Sequence, residues 1–329
     1  MASGSPGAAQ PAAAGTAGLR PLGRTGLAVS PVCIGTSPLA SMPELYGYEV
    51  TQDRAEATIR QVLRGPFNFM DTSNNYGGGS AERRIGRALA AAGGLPPGFV
   101  LATKADADPV TGDFSGDRVR RSVQESLERL GLDRIQLMYL HDPEYHLTFA
   151  AAMARGGPVE ALTALRDQGV LGYLGVAGGP VRLMGDFIAT GQFAAVLSHH
   201  RYTLVDRSAG PLLDDARRRG VAFVNGAPYG GGMLVKGPDR QPNYAYRPAG
   251  PAVRDAVRSM QRACAARGVP LAAAALQFSL REPRVTATVV GVSEPSRIAE
   301  ITALMSVQIP GELWAELDAL AVAPEFWLN

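Results

Sequence analysis

Asp71, Lys104 and His141 each close a short apolar run, and Tyr76 stands five residues beyond the first of them. The run 67–70, Phe-Asn-Phe-Met, has the length of a buried strand, and the turn formers Thr72, Ser73, Asn74 and Asn75 follow Asp71. Lys104 ends Phe-Val-Leu-Ala-Thr, and His141 ends Ile-Gln-Leu-Met-Tyr-Leu. Hydrophobic packing gives such strands no reason to end on ionisable groups. Together the four residue types point to proton transfer. A cation beside a phenol favours the phenolate, which would draw the Tyr76 pKa from about 10 towards neutrality and make it a usable acid or base. Singly, each residue has an ordinary structural explanation: Asp71 can cap its loop, Lys104 can snorkel to solvent, and His141 can be a hydrogen-bonded wall residue. The chemistry depends on all four meeting.

The surrounding pattern supplies a way for them to meet. Strands are expected at 31–36, 67–71, 99–104, 135–141, 170–176, 194–198, 221–225 and 285–291. Helical spacing separates them, at 51–65, 80–92, 115–131, 158–168, 180–190, 208–219, 250–267 and 294–305. Short apolar strands joined by helices imply parallel pairing through crossovers. Eight such units favour closure into an α/β (β/α)8 TIM barrel, in which every strand ends on the same rim. An open dinucleotide-binding sheet would carry GxGxxG after its first strand, where Gly35-Thr-Ser-Pro-Leu-Ala stands instead. Residues 20–29 suggest an N-terminal hairpin. Two extra helices are expected, at 269–281 before the eighth strand and at 310–321 near the end. The last residues, with Phe326 and Trp327, either fold over one mouth of the barrel or staple the chain end.

Composition sets outer limits. The 329 residues suit one large barrel, and residues 19–329 are read as that single domain. Residues 1–18, rich in Ala, Gly, Pro and Ser, read as a disordered tail without the marks of a secretory or mitochondrial leader, so a cytoplasmic location is expected. A formal charge of +2 gives no basic excess for nucleic acid, and no apolar run is long enough for a membrane span. Cys33 and Cys264 lack metal or disulfide spacing and read as small core residues. With four histidines, a metallohydrolase barrel is disfavoured.

At this point the residues match a known pattern. Asp71-Thr, Tyr76-Gly, Ser80 and Glu82 before Ile85-Gly86, Thr103-Lys104 and Leu140-His141 resemble the aldo-keto reductases, over residues 19–320. The resemblance implies hydride transfer between a nicotinamide (NAD or NADP) and a carbonyl–alcohol pair, with no metal. By the same resemblance Tyr76 donates or accepts the proton, Lys104 and Asp71 tune it, and His141 orients the substrate oxygen. The dinucleotide would lie on loops after the seventh and eighth strands: Gly226, Ala227, Pro228 and Gly230 in the glycine-rich 225–234 segment, then Gly291, Ser293, Arg297 and Glu300. Several positions depart from the family pattern. Gly291 stands where many NADPH-preferring members have lysine, and Glu294 adds negative charge, which leans the reading towards NAD. Gly226 replaces a stacking aromatic, Ala177-Gly178 a Ser-Asn pair, and His199 a glutamine. Either His199 or His200 is expected to point into the barrel wall. With Arg201-Tyr-Thr-Leu and Ala227-Pro-Tyr-Gly, the sequence looks like the branch of L-fucose, D-threo-aldose and pyridoxal dehydrogenases.

Substrate contacts are expected from Tyr46 and Tyr48 in the first loop and from Tyr145 in the fourth, whose hydroxyls and faces suit a polyol or sugar. Two alternatives remain open: an NADPH-dependent reductase of aldehydes or ketones acting on a specialised metabolite, and a cofactor-sensing regulatory barrel with little turnover. A monomer or small homo-oligomer is expected, because no heptad or apolar stripe demands more.

Overall fold

The computed structural model describes residues 18–328; the tail expected over 1–18 lies, apart from Gly18, outside the described residues. The barrel closes. Its strands are β1 (Val32–Gly35), β2 (Phe69–Asp71), β3 (Val100–Ala105), β4 (Ile135–His141), β5 (Leu171–Gly178), β6 (Ala195–His199), β7 (Ala222–Gly226) and β8 (Ala287–Gly291). All pair in parallel and in chain order, and β8 pairs with β1. The N-terminal hairpin, Arg20–Pro21 against Ala28–Val29, plugs the opposite end from the strand termini. Arg20 donates to the Val285 and Leu280 carbonyls at 2.8 and 2.7 Å, just ahead of β8.

The surrounding helices are α1 (Gln52–Leu63), α2 (Ser80–Ala92), α3 (Gly116–Leu130), α4 (Pro158–Asp167), α5 (Val181–Ala189), α6 (Gly210–Arg219), α7 (Pro251–Ala265), α8 (Leu271–Leu280), α9 (Ser296–Ser306) and α10 (Gly311–Ala319). Their starts follow from local chemistry: Thr51 and Ser115 accept from the amides of Arg54 and Arg118, satisfying donors that an α-helix leaves free. Two helices stand between β7 and β8 as expected, with their roles exchanged. The alanine-rich α8, apolar on nearly every side, packs directly on β8, whereas the amphipathic α7 packs outside it against α8 and α10. The additional helix is therefore α7.

Alternation along the strands divides the core. Cys33, Phe69, Val100, Ala102, Leu137, Tyr139, Ala177, Leu197 and Val224 fill the barrel interior, while larger aliphatic and aromatic clusters lie between strands and helices. Continuing the period of two beyond the interior residues reaches Asp71, Lys104, His141 and His199. They form the polar top of an apolar barrel. The C-terminal segment lies against the wall rather than across the mouth: the Leu328 amide donates to Asp206 Oδ2 at 2.6 Å, and Leu328 rests beside α5 and α6.

Candidate active site

Three of the four residues expected to act together are in direct contact. Lys104 Nζ lies 2.5 Å from Asp71 Oδ1, 2.7 Å from the Thr72 carbonyl and 3.1 Å from Tyr76 Oη. All three ammonium hydrogens thus have a direction. The edge of the His141 ring faces the Tyr76 ring, with centroids 5.9 Å apart and planes at 79°. Lys104 and Asp71 are 1% and 4% exposed, so their charges balance each other out of water. Burial pulls the Lys104 pKa down, but Asp71 and Tyr76 outweigh it and hold the ammonium charged.

The expected fall in the Tyr76 pKa is not what the geometry gives. Burial raises it well above the ordinary phenol value; Lys104 opposes this, and Asp71 adds to the rise. The reason is the close ion pair. An ammonium already neutralised at 2.5 Å offers a phenolate little net positive field. Tyr76 therefore keeps its proton at neutral pH.

His141 is held from both sides. Its Nδ1 lies 2.6 Å from Asp106 Oδ1, and its Nε2 lies 3.7 Å from Asp142 Oδ2. Burial lowers the imidazole pKa, and the two carboxylates outweigh it, leaving His141 above its ordinary value. Burial would likewise raise Asp106. Instead His141, the Ser73 hydroxyl at 2.5 Å and the Asn75 amide at 3.0 Å keep its pKa low. Asp106 was absent from the expected site, although a signal existed: it follows Lys104 by two residues, hence on the same side of the extended chain.

A second buried layer braces the first. Thr103, next to Lys104, donates to Glu82 Oε1 at 2.7 Å, and Glu82 meets Arg129 at 3.3 Å. Arg118 donates to the Asp106 carbonyl, to Asn74 and to Glu125. These contacts bind α2 and α3 to the loops that carry Tyr76 and Asp106.

The mouth is polar. Asp142, in a left-handed conformation with φ 44°, lies 3.6 Å from His199 Nε2 by its second oxygen. Asp142, Glu144 and His199 bring ligand atoms within 4.8 Å of one another. That spacing also suits a divalent ion, although each Asp142 oxygen already faces an imidazole nitrogen, His141 Nε2 at 3.7 Å and His199 Nε2 at 3.6 Å. His200 is the member of the histidine pair that is buried in the wall, 2% exposed and packed against Tyr244 and Tyr246, while His199 faces the rim. A cleft of about 470 Å³ opens between the loops after β3 and β4, lined in part by Asp106, His141, Asp142, Tyr145 and His146. Tyr46 and Tyr48 pair within the loop after β1, ring centroids 5.9 Å apart, with Tyr46 donating to Ser37 Oγ at 2.8 Å. Tyr145 stands apart from them on the β4 loop, 67% exposed.

The residues expected to hold a dinucleotide fall into one arc. Gly226 and Gly291 end β7 and β8, and Ala227 has φ 54° at the turn into the Gly230–Gly232 segment. Ser293 lies between β8 and α9, and Arg297 and Glu300 pair in the first turns of α9. A Cβ at Gly226 would come within 3.1 Å of His199 Cβ. Two buried polar atoms along this arc lack partners, His199 Nδ1 at the end of β6 and Tyr229 Oη beside Arg297 and Glu300. Leaving such an atom unpaired costs about 1–3 kcal/mol. A ligand that brings donors, acceptors and an anion to this arc fits the residues present.

A closed eight-stranded parallel barrel with this polar rim defines an oxidoreductase of the aldo-keto type. The family model described as "Aldo/keto reductase family" matches residues 31–322, and the chain belongs to that family, whose members use nicotinamide cofactors. The sequence is 32% identical to L-galactose dehydrogenase of Arabidopsis thaliana, over 92% of this chain and 93% of that protein. It is 29% identical to D-threo-aldose 1-dehydrogenase of a Pseudomonas species, over 84% and 90% of the two chains. Pyridoxal 4-dehydrogenase of Microbacterium luteolum is 30% identical, over 91% and 96%. Among solved structures, the holo form of aldo-keto reductase AKR11C1 from Bacillus halodurans superposes with a TM-score of 0.75 at 24% identity, covering 93% of this chain and 96% of that one. That likeness supports the fold.

Proposed function

We propose that this protein is an NAD(P)-dependent aldose 1-dehydrogenase that oxidises the anomeric hydroxyl of a sugar of the L-galactose or L-fucose kind to the lactone. The observation that carries the reading is Tyr76 Oη, 3.1 Å from Lys104, with its ring packed against His141, which in turn lines a cleft with Asp106, Asp142 and Tyr145. L-fucose is the 6-deoxy form of L-galactose, so one pocket can read the shared ring hydroxyls. The sugar dehydrogenases similar to this chain favour the same substrate class.

When bound, the nicotinamide supplies the hydride acceptor and, in its oxidised form, a positive charge. The chain supplies the rest. His141 Nε2, the ring nitrogen away from Asp106, hydrogen-bonds the substrate O1 and fixes its direction. Tyr76 in its phenolate form takes the O1 proton, and Lys104 bonds the phenolate oxygen. Asp71 holds Lys104 in place. Atoms balance: C1 loses a hydride, O1 loses a proton, and the ring becomes a lactone.

NAD is the favoured dinucleotide. Arg297, the cation nearest the expected 2′-position, is paired with Glu300, and exposed Glu294 adds negative charge beside it. A 2′-phosphate would meet little net positive field. A second reading has its own support. Tyr76 is protonated in the free protein, which favours donation and hence reduction of an aldehyde or ketone near neutral pH. Initial rates in both directions across a pH series test the choice: aldose oxidation that strengthens under alkaline conditions supports the dehydrogenase, and carbonyl reduction without any aldose oxidation supports the reductase.

A further inference from the structure

We propose that Tyr246 is a specificity-determining residue of this site: its ring forms an aromatic wall across the barrel mouth on which the C–H face of the sugar ring stacks. The proposal rests on the aldose reading above and adds the surface that selects the ring.

The loop between β7 and α7 folds back as a hairpin, Asn243–Tyr244 pairing with Arg247–Pro248. Its two-residue turn, Ala245 and Tyr246, has φ of 49° and 65°. Positive φ at both central positions belongs to the type I′ turn, where Asn-Gly is the ordinary solution and a large side chain is strained. Neither residue here is one that such a turn selects for. Strain of this kind persists where neighbouring structure imposes it, and it concentrates at functional positions.

The imposing structure is Tyr244. This residue is 6% exposed, and its hydroxyl is 2.7 Å from Thr203 Oγ1 and 2.9 Å from the His200 carbonyl. Its ring packs so closely on Gly230 that a Cβ there would lie 2.3 Å from Tyr244 Cε2. With Tyr244 anchored, the turn has one outcome. Tyr246 is delivered into a T-shaped contact with His200, centroids 4.9 Å apart at 88°.

Its other neighbours show where that is. Burial and the charge of Asp142 raise the Tyr246 pKa, and after burial Tyr246 is the largest influence raising that of Tyr46. His200 follows β6, Asp142 follows β4, and Tyr46 belongs to the loop after β1. A side chain close to the ends of strands from opposite sides of a barrel lies across its opening. Tyr246 is nonetheless 56% exposed, the condition of a side chain lining an open concavity. An aromatic face there, with His200 against it and the Asp142 carboxylate close enough to act on its hydroxyl, offers a sugar both things it needs: a flat apolar surface for its C–H face and polar groups for its hydroxyls.

The test compares wild type, Tyr246→Phe, Tyr246→Ala and the Ala245→Asn/Tyr246→Gly pair, measuring kcat and KM with L-galactose and L-fucose, dinucleotide affinity by fluorescence, and Tm. Loss of stacking is expected to raise KM about five- to tenfold in Tyr246→Ala and in the pair, with Tyr246→Phe close to wild type. Dinucleotide affinity should stay within about twofold. The pair should match or exceed the wild-type Tm, since its residues suit the turn, which separates a substrate role from a structural one. Wild-type oxidation of aldoses with an unchanged KM in Tyr246→Ala would overturn the proposal and leave the aldose reading intact. So would dinucleotide binding weakened as much as sugar binding. A wild type that oxidises neither aldose defeats the aldose reading itself, and the stacking role with it.

Discussion

At the scale of the residue, the site's chemistry is set by which charges are already spent. Lys104 is bound to Asp71, so Tyr76 keeps its proton in the free protein. The proposed oxidation needs that proton removed, and its rate is expected to climb as pH rises into the alkaline range, while carbonyl reduction should decline; pH–rate profiles of kcat/KM in both directions check this. His141 carries a separate prediction, about stability. Its pKa in the folded protein stands above the ordinary imidazole value, because Asp142 and Asp106 outweigh burial. A raised histidine contributes stability that is complete below the unfolded value of about 6.5 and is lost as pH rises through the folded value. The Tm difference between wild type and His141→Gln should therefore be largest on the acidic side of neutrality and shrink as pH is raised. The low pKa of Asp106 works in the opposite sense, its share fading as pH falls through its depressed value. A Tm difference that grows with pH would contradict this assignment of charge.

At the scale of the element, strand alternation explains why the site was largely legible in the sequence. A strand end is a rigid mount whose direction is fixed by a period of two, so Asp71, Lys104 and His141 were readable as one rim once eight parallel strands were recognised. The same period reaches Asp106 from Lys104, but Asp106 lies past the apolar run, where alternation alone no longer fixes direction. The roles of α7 and α8 are not legible in the sequence because alanine contributes little amphipathic signal, and only packing shows which helix touches β8. Interior shape carries a prediction as well. Tyr139 fills the barrel beside Gly175, where a Cβ would lie 2.4 Å from the tyrosine ring. Gly175→Ala is expected to destabilise the protein by about 1–3 kcal/mol through overpacking. Tyr139→Leu in the same chain should restore part of the loss, as denaturant titrations of the single and double variants would show.

At the scale of the whole molecule, the barrel brings together three surfaces that are far apart in the chain: the Asp71–Tyr76–Lys104–His141 cluster from β2, β3 and β4 and their loops, an arc from the ends of β6, β7 and β8 to α9 that holds the unpartnered His199 Nδ1 and Tyr229 Oη, and an aromatic hairpin from the loop after β7. The first was readable because its residues end strands. The third was not, because a Tyr-Ala-Tyr-Arg stretch gives no I′ turn signal, and its conformation is imposed by Tyr244. Dinucleotide choice also belongs to this scale, since it depends on the summed charge around α9. Glu294→Lys is expected to shift the ratio of kcat/KM values from NAD towards NADP by about tenfold, near 1.4 kcal/mol; an unchanged ratio would place the 2′-position elsewhere. The most direct test of the central claim is the initial rate of nicotinamide reduction with L-galactose and L-fucose, for wild type and Tyr76→Phe at matched dinucleotide saturation. The proposed function predicts saturable oxidation by the wild type and a loss of about 10²–10⁴-fold in Tyr76→Phe, with dinucleotide binding retained. Oxidation that survives in Tyr76→Phe, or a wild type that oxidises neither sugar, would contradict it.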